Sequence, residues 1–243
     1  MSVGEMPKPL DKIKKIRSLD EILTRGGQAL SVYREQILGA ATLPIDEEFA
    51  RHIKTSSFGK TPVIAETLWQ KFYKNGETAF FNSFDDRKKS VGTFRKTFGE
   101  ANVSHFVNTA ERIVSGRIDI LGLEGVYIGT DVDWHREPLS EKRSPLKHWK
   151  EFDDLDIAES GNKKVVWEIN RHQHFFTLGL AFWLTEDERY AETYSRHLKS
   201  WIEQNPTGLG INWTSSLEVA LRAMSWIWAF HFFKDSDAFT PDL

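Results

Sequence analysis

The chain has 243 residues, a formal net charge of -3 and no cysteine. Its length and its 40% of hydrophobic residues suit one globular domain with a sizeable core. The lack of cysteine excludes disulfides, thiolate metal sites and a cysteine nucleophile. The lack of a basic excess argues against a general nucleic-acid partner, and leaves open a local basic cleft for an acidic polymer.

The N-terminal residues lack the apolar run of a secretory signal, and no stretch reaches the length of a membrane span. We therefore expect a cytoplasmic chain with no membrane partner; a mature fragment of a periplasmic protein would look the same. Between Ser18 and Leu38, apolar residues recur at helical spacing, with Ser18 or Asp20 near the N-cap and Gly26-Gly27 as a weak point. Residues 1–40 are interpreted as an N-terminal helical packing arm.

The middle of the chain predicts loops and short elements. Residues 42–66 are rich in turn-forming residues and predict a loop that leads into a short helix around 64–73. Two further helices are predicted between residues 91 and 115. Around 118–128, glycines interrupt the apolar residues, which indicates short extended pieces rather than a helix. Residues 129–164 are predicted to form a long loop, and long loops on compact scaffolds are often functional.

The last part of the chain is predicted to be helical, because apolar residues recur every three or four positions. The predicted helices span residues 167–184, 186–204 and 215–233. Ser/Thr-x-x-Glu capping boxes at Thr185 and Ser215 are expected to begin the second and third helices. The loop between the first two is short, so they should pack antiparallel. Glu218 and Arg222, at i and i+4, are expected to form an ion pair on the third helix.

Asn212 lies in the turn between the second and third predicted helices, just outside a helix N-terminus. Unpaired N–H groups and the positive end of the helix dipole favour an anion such as a carboxylate there. A neutral amide at this place can donate hydrogen bonds to a carboxylate or to an enolate-like intermediate without titrating. The alternative is that Asn212 only makes turn contacts, as Asn often does in loops.

The first predicted helix carries polar side chains that are candidates for a binding cleft. Asn170 and His174 share a face at i and i+4. His172 and His174 point to nearly opposite faces, so they are not expected to hold one metal ion. Arg171 can bind a carboxylate or sulfate bidentately, or it can form a salt bridge at the base of the hairpin.

Four segments together resemble the N-terminal helical domain of the heparinase II/III family of polysaccharide lyases. The segments are Asp131–His135, Pro145–Asp153, Trp167–His174 and Asn212–Trp226. The resemblance is clear over residues 119–233 and weaker before them. It implies a mainly α fold in which residues 41–243 form an incomplete (α/α) toroid of antiparallel helical hairpins, with the extended pieces around 118–128 as an exception.

The resemblance also implies cleavage of a heparan-like or alginate-like acidic polysaccharide by β-elimination at a uronic acid. In that reaction an amide neutralises the uronate carboxylate, a base removes the C5 proton, and Tyr or His protonates the leaving oxygen. Asn212 matches the neutralising residue. The family's catalytic Tyr and a further His lie later in the toroid and in a following β-sandwich domain, so this chain alone is expected to be inactive.

Other residues are candidate contacts to the acidic polysaccharide, which is the expected partner. They are Trp134, His135, Asn170, Arg171, His174 and Trp213. Trp134 and Trp149 would present aromatic platforms to sugar rings, or they plug the core. Asn212→Ala is expected to weaken uronate binding with little change in melting temperature, since an exposed loop amide contributes little to folding. No cofactor or metal is expected.

A different class of function also fits the sequence. The chain would then be a non-catalytic module that binds an acidic glycan or a partner protein, from a polysaccharide assembly locus. In either case, a toroid cut short exposes the apolar side of its last helix around Trp226–Phe233, so a homodimer through that helix is expected.

Overall fold

The computed structural model describes residues 18–38, 67–68, 70, 80–81, 84–153 and 157–240. The chain divides into two compact units, Met1–Ala41 and Thr42–Leu243. The loop predicted at 42–66 lies outside the described residues, as does most of the helix predicted around 64–73, of which Thr67, Leu68 and Gln70 are helical. None of the described helices is long and apolar enough to cross a membrane.

The first unit contains the described helix α1, Leu19–Leu38. Ser18 caps this helix, because its hydroxyl oxygen accepts a hydrogen bond from Glu21 N at 3.1 Å. The helix runs without a break through Gly26 and Gly27. The helix predicted between Ser18 and Leu38 is therefore confirmed.

The first long element described in the second unit is helix α2, Arg87–Val114, and a small hairpin follows it. Gly99, at φ 76°, kinks α2 and so separates the two helices predicted there. The strands β1, Arg117–Ile120, and β2, Leu123–Tyr127, pair antiparallel with Ile118 opposite Val126. This hairpin confirms the extended pieces predicted around 118–128.

The predicted long loop and the first predicted helix differ from the structure at their boundaries. The loop contains a 3-10 turn at Trp149–Glu151 and the one-turn helix α3, Ile157–Ser160. The predicted helix 167–184 is two helices, α4, Lys163–Asn170, and α5, His174–Thr185. His172 between them has φ 58°, and its ring Nδ1 accepts a 2.7 Å hydrogen bond from Trp226 Nε1. A tertiary contact thus holds a backbone conformation that the helical periodicity does not signal.

The next two predicted helices are present as α6, Arg189–Gln204, and α7, Ser216–Phe233, but neither capping box forms. Thr185 ends α5 instead of starting α6: its hydroxyl donates to Ala181 O at 2.8 Å, and Glu186 takes the left-handed conformation. Ser215 does occupy the N-cap of α7, but its side chain makes no capping hydrogen bond.

Helix α5 is the centre of the hydrophobic core. Its buried residues include Phe175, Leu178 and Phe182, and it packs against α2, α6 and α7. The crossing with α7 is close, because a Cβ added to Gly179 would lie 2.5 Å from Phe232 Cγ. A helix that is apolar on all sides is expected to lie inside a fold, as α5 does. The described elements are mostly helices, so the prediction of a mainly α fold is confirmed.

Helix α7 buries one side against α5 and exposes apolar side chains on the other. The exposed residues are Leu217, Met224 and Ile227. An exposed apolar face on the last helix was expected, and the homodimer through it stays a prediction.

Candidate functional site

The turn between α6 and α7 packs directly on the long loop. His148 and Leu209 form an antiparallel bridge, Trp149 N donates to Gly208 O at 2.9 Å, and Gly210 N donates to Lys147 O at 2.8 Å. The structure therefore brings one of the four resembling segments, Pro145–Asp153, against the turn that leads into another, Asn212–Trp226.

Asn212 sits inside this turn and is fully buried, so the expectation of an exposed loop amide is wrong. Its Nδ2 donates to Asn205 Oδ1 at 2.8 Å and to Trp134 O at 3.2 Å, while its Oδ1 has no hydrogen-bond partner among the described residues. The long loop covers the amide, and turn composition does not reveal such a cover. Both N–H groups of the amide are engaged within the protein.

Asn170 joins Asn212 at the same carbonyl. Asn170 Nδ2 donates to Trp134 O at 2.9 Å and to Val166 O at 2.7 Å, and its Oδ1 accepts from Trp201 Nε1 at 2.7 Å. Asn170 is buried with every polar atom of its side chain paired. Three of the predicted site residues thus form one interior network rather than the surface of an open cleft.

Arg222 also belongs to this network. The sequence predicts that it pairs with Glu218. Its Nε donates to Asn170 O at 3.0 Å, its Nη2 donates to Asn212 O at 2.9 Å, and its guanidinium lies 4.2 Å from the ring centre of Trp201. Burial lowers the pKa of Arg222 to about 10. The expected ion pair with Glu218 is not the contact that holds this side chain.

Glu218 pairs with Arg171 instead. Arg171 Nε and Nη2 donate to the two carboxylate oxygens at 2.6 and 3.0 Å, and Nη1 donates to Glu168. The hydrogen bond with Glu218 raises the pKa of Arg171. Because Glu218 is buried, this bidentate pair ties the end of α4 to the start of α7. Of the two alternatives given for Arg171, the salt bridge is the one that its contacts with Glu218 and Glu168 match.

His172, His174 and His197 form a second buried polar cluster. His174 Nε2 and His197 Nδ1 lie 3.3 Å apart, and the His172 ring lies 5.7 Å from that of His174. Burial lowers the pKa of all three, that of His197 to about 3. Within the described ranges, no group of three or more metal-ligating side chains could hold a metal ion.

The predicted aromatic contacts are also interior. Trp134 and His135 are buried, and His135 Nε2 donates to Gln204 O at 2.9 Å. Gly210, at φ 92°, lets the His135 ring approach, since an added Cβ would lie 2.8 Å from its Cε1. Trp213 is half-buried, with its ring centre 5.9 Å from that of Trp201. Of the two tryptophans expected as platforms, Trp134 is a core plug, and Trp149 is half-buried.

Beside the turn lies an open groove of about 500 Å³, which we call the α7 groove. Polar residues from the starts of α4 and α7 line it: Asn162, Lys163, Lys164, Thr214, Ser215 and Ser216. Trp167 forms one wall, and its Nε1 donates to Ile211 O at 3.1 Å. The groove therefore adjoins the turn that carries Asn212. Sequence reasoning did not single out Lys164 or Trp167, although Trp167 belongs to one of the four resembling segments.

A second cleft, of about 320 Å³, lies between α2, β1 and the break before α5. His174 and Glu168 line it together with Arg112 and Arg117. Arg112 is paired with Asp119 at 2.6 Å. The predicted residue His174 therefore faces this cleft and does not line the α7 groove.

The chain matches one protein-family model and two curated relatives. A family model described as the heparinase II/III N-terminus matches residues 55–243. The chain is 31% identical over 109 residues to a heparin-sulfate lyase of Bacteroides thetaiotaomicron, covering 44% of this chain and 15% of that protein. It is 32% identical over 118 residues to a heparin-sulfate lyase of Pedobacter heparinus, covering 46% of this chain and 15% of that protein.

One solved structure shows the same fold. It is the heparan sulfate lyase HepC from Pedobacter heparinus, with a TM-score of 0.51 and 19% identity over 73% of this chain and 24% of that chain. The match shows that this mainly helical chain shares the fold of part of that lyase. The chain thus spans a small fraction of the length of the relatives that it matches.

Asn212→Ala should destabilise the fold, because it removes two buried hydrogen bonds and leaves Asn205 Oδ1 without its donor. We expect the free energy of unfolding to fall by about 2 kcal/mol, which lowers the melting temperature by about 4 to 8 °C for a chain of this size. Asn102→Ala is the matched control, since its amide also bonds a backbone oxygen but is exposed. A melting temperature of Asn212→Ala equal to the parent's would contradict the buried network.

Stability should fall as the pH drops from 7 to 5. His197 stays neutral in the folded chain at these pH values, whereas the unfolded chain protonates it below about pH 6.5, so at pH 5 this residue alone favours unfolding by about 2 kcal/mol. The pKa values of His172 and His174 are shifted in the same direction. Urea denaturation at pH 7, 6 and 5 measures the slope, and His197→Gln should make it shallower. Equal stability at pH 7 and pH 5 would argue against these buried neutral rings.

Proposed function

Because the chain belongs to the heparinase II/III family, we propose that it is the N-terminal helical part of a polysaccharide lyase and that it binds an acidic, uronic-acid-containing polysaccharide. The family match over residues 55–243 and the two heparin-sulfate lyase relatives support the reaction class. A heparan-like or alginate-like chain is the substrate class that we propose. The α7 groove is the observation that carries the binding part of the proposal.

The lining of the α7 groove suits an acidic sugar. Lys164 is exposed and forms no ion pair within the described ranges, so its ammonium is free to meet a carboxylate or sulfate. The first intrahelical hydrogen bond of α7 runs from Val219 N to Ser215 O, which leaves earlier N–H groups of the helix directed at the groove end. The Trp167 indole adds an apolar wall for a sugar ring. A volume of about 500 Å³ lies within the usual range of ligand pockets.

We propose that the rest of the reaction requires residues other than those assembled here. Tyr190 and Tyr194 are buried in the core, and burial raises the pKa of both, which disfavours the phenolate form. The histidines nearest the turn and in the helix break are buried as well. No accessible base is therefore placed beside the turn by the described part of the chain.

The neutralising role that the resemblance implies for Asn212 also remains part of the proposal. To meet a uronate carboxylate, the amide would have to exchange its longer hydrogen bond, the one to Trp134 O at 3.2 Å. In the alternative role, Asn212 shapes the turn and the α7 groove alone contacts the sugar.

A non-catalytic acidic-glycan module is the second candidate function. It is favoured by one observation: the α7 groove has its cation, its aromatic wall and its helix N-terminus within this chain, whereas the described residues place no accessible acid and base beside it. Binding without cleavage would then be the complete activity of the chain.

We expect no cleavage by this chain alone. β-Elimination produces an unsaturated uronyl end that absorbs in the ultraviolet, and the absorbance of heparan sulfate or alginate solutions should stay flat on addition of the chain. A full-length lyase of the same family serves as the positive control. Robust turnover would show that a base exists here after all, and His135, His172 and His174 would be the residues to replace first.

Lys164→Gln should weaken binding of a heparan sulfate oligosaccharide by about tenfold or more, because a hydrogen bond to a charged group contributes about 1.5 to 3 kcal/mol. Isothermal titration calorimetry measures the dissociation constant. Lys199→Gln on α6 is the matched control, since this exposed lysine does not line the groove. The groove is the wrong site if Lys164→Gln binds as tightly as the parent, or if the two variants lose affinity equally.

A further inference from the structure

Helix α1 carries an apolar stripe with the spacing of a coiled-coil seam. Its positions are Leu23, Gly26, Leu30, Tyr33 and Ile37, which alternate steps of three and four residues. The side chains are exposed in the described structure, Leu23 at 73%, Leu30 at 60%, Tyr33 at 59% and Ile37 at 62%. A helix of 20 residues with such a stripe uncovered is only marginally stable by itself.

Two glycines, Gly26 and Gly27, lie at the middle of α1, so the stripe has no side chain at its Gly26 position. Each of Gly26 and Gly27 weakens a helix by about 1 kcal/mol relative to alanine. Packing against the described part of the chain requires neither glycine, because a Cβ added to either would meet no described atom within 4 Å. A second helix whose backbone approaches at this place would explain why small residues stand there.

Charged residues on one edge of the stripe indicate how that second helix runs. Asp20 and Arg34 are exposed, lie two heptads apart on the same edge, and form no ion pair within the part of the chain that the structure describes. The pair Glu21–Arg25, at 2.7 Å, sits away from the stripe. In an antiparallel coiled coil like edges face each other, whereas in a parallel one the opposite edges meet. Only the antiparallel arrangement brings Asp20 of one helix to Arg34 of the other.

We propose that α1 pairs with α1 of a second copy of this chain as an antiparallel two-helix coiled coil. Four of the five stripe positions then form closed layers, with Leu23 against Tyr33 of the second copy and Leu30 against its Gly26. Two Asp20–Arg34 pairs, one at each end, flank the layers. The symmetry is the twofold symmetry of an isologous dimer, in which the same surface is used by both copies.

Sedimentation velocity of the full chain over a range of concentrations tests the pairing. The parent should form a species of twice the 28.1 kDa chain mass. Asp20→Arg and Arg34→Asp should each raise the dimer dissociation constant about tenfold, because each dimer exchanges two opposite-charge pairs for two like-charge pairs. The double variant Asp20→Arg/Arg34→Asp should restore the parent value, and Met224→Glu on the exposed face of α7 should leave it unchanged.

Cross-linking tests the direction of the helices, and the absence of cysteine in the parent makes it clean. Under mild oxidation, Leu23→Cys/Tyr33→Cys should give a disulfide-linked dimer, since its two cysteines face each other across the antiparallel layer. Leu23→Cys alone should stay unlinked. A Leu23→Cys homodimer would instead show parallel helices and overturn the proposal.

Two other results would overturn it. One is a parent chain that is monomeric at every concentration, which would mean that the exposed stripe does not bind a second copy. The other is a dimer that Met224→Glu dissociates and Asp20→Arg does not, which would place the interface on α7. Neither a monomeric parent nor an interface on α7 would explain a double variant Asp20→Arg/Arg34→Asp that regains the dissociation constant of the parent.

Discussion

The region around the α6–α7 turn depends on one backbone carbonyl, Trp134 O. Two buried amides donate to it, Asn170 from the end of α4 and Asn212 from the turn, at 2.9 and 3.2 Å. A buried polar group without a partner costs about as much free energy as a lost hydrogen bond, so the long loop, α4 and the turn are constrained to meet at this point. Arg222 adds to the constraint from α7, because its guanidinium donates to the backbone oxygens of the same two asparagines.

This constraint explains which parts of the structure the sequence could predict. Helical periodicity identifies α6 and α7 to within three residues at each end, since it records which face is buried. It could not place the break at His172, which depends on a hydrogen bond from Trp226, 54 residues later. The Thr185 capping box failed for a local reason, because the hydroxyl bonds back into the preceding helix. The motifs located the right region, but pattern alone could not show that its asparagines lie inside.

The same burial separates two kinds of residue in the resembling segments and directly next to them. Those with the most distinctive pattern, the asparagines, Arg171 and the histidines, are held by protein partners. Those that face solvent beside them, Lys164 and Trp167, have ordinary identities for a helix surface. A sequence motif in this chain therefore marks the framework of a site more reliably than the atoms that would touch a ligand. The buried, hydrogen-bonded residues form the framework, and the α7 groove lies at its solvent-exposed edge.

The central position of α5 has a consequence for how the chain reaches its fold. Its close crossing with α7 at Gly179 and Phe232 joins residues 53 positions apart, and its other face packs on α2, a long way upstream. During synthesis, α5 emerges with its apolar surface complete before α7 exists to cover it. Contacts between such distant segments slow folding, and uncovered apolar helices are prone to associate in the meantime. At that stage α2 can already cover one face of α5, whereas the face that meets α7 stays open until α7 has been synthesised.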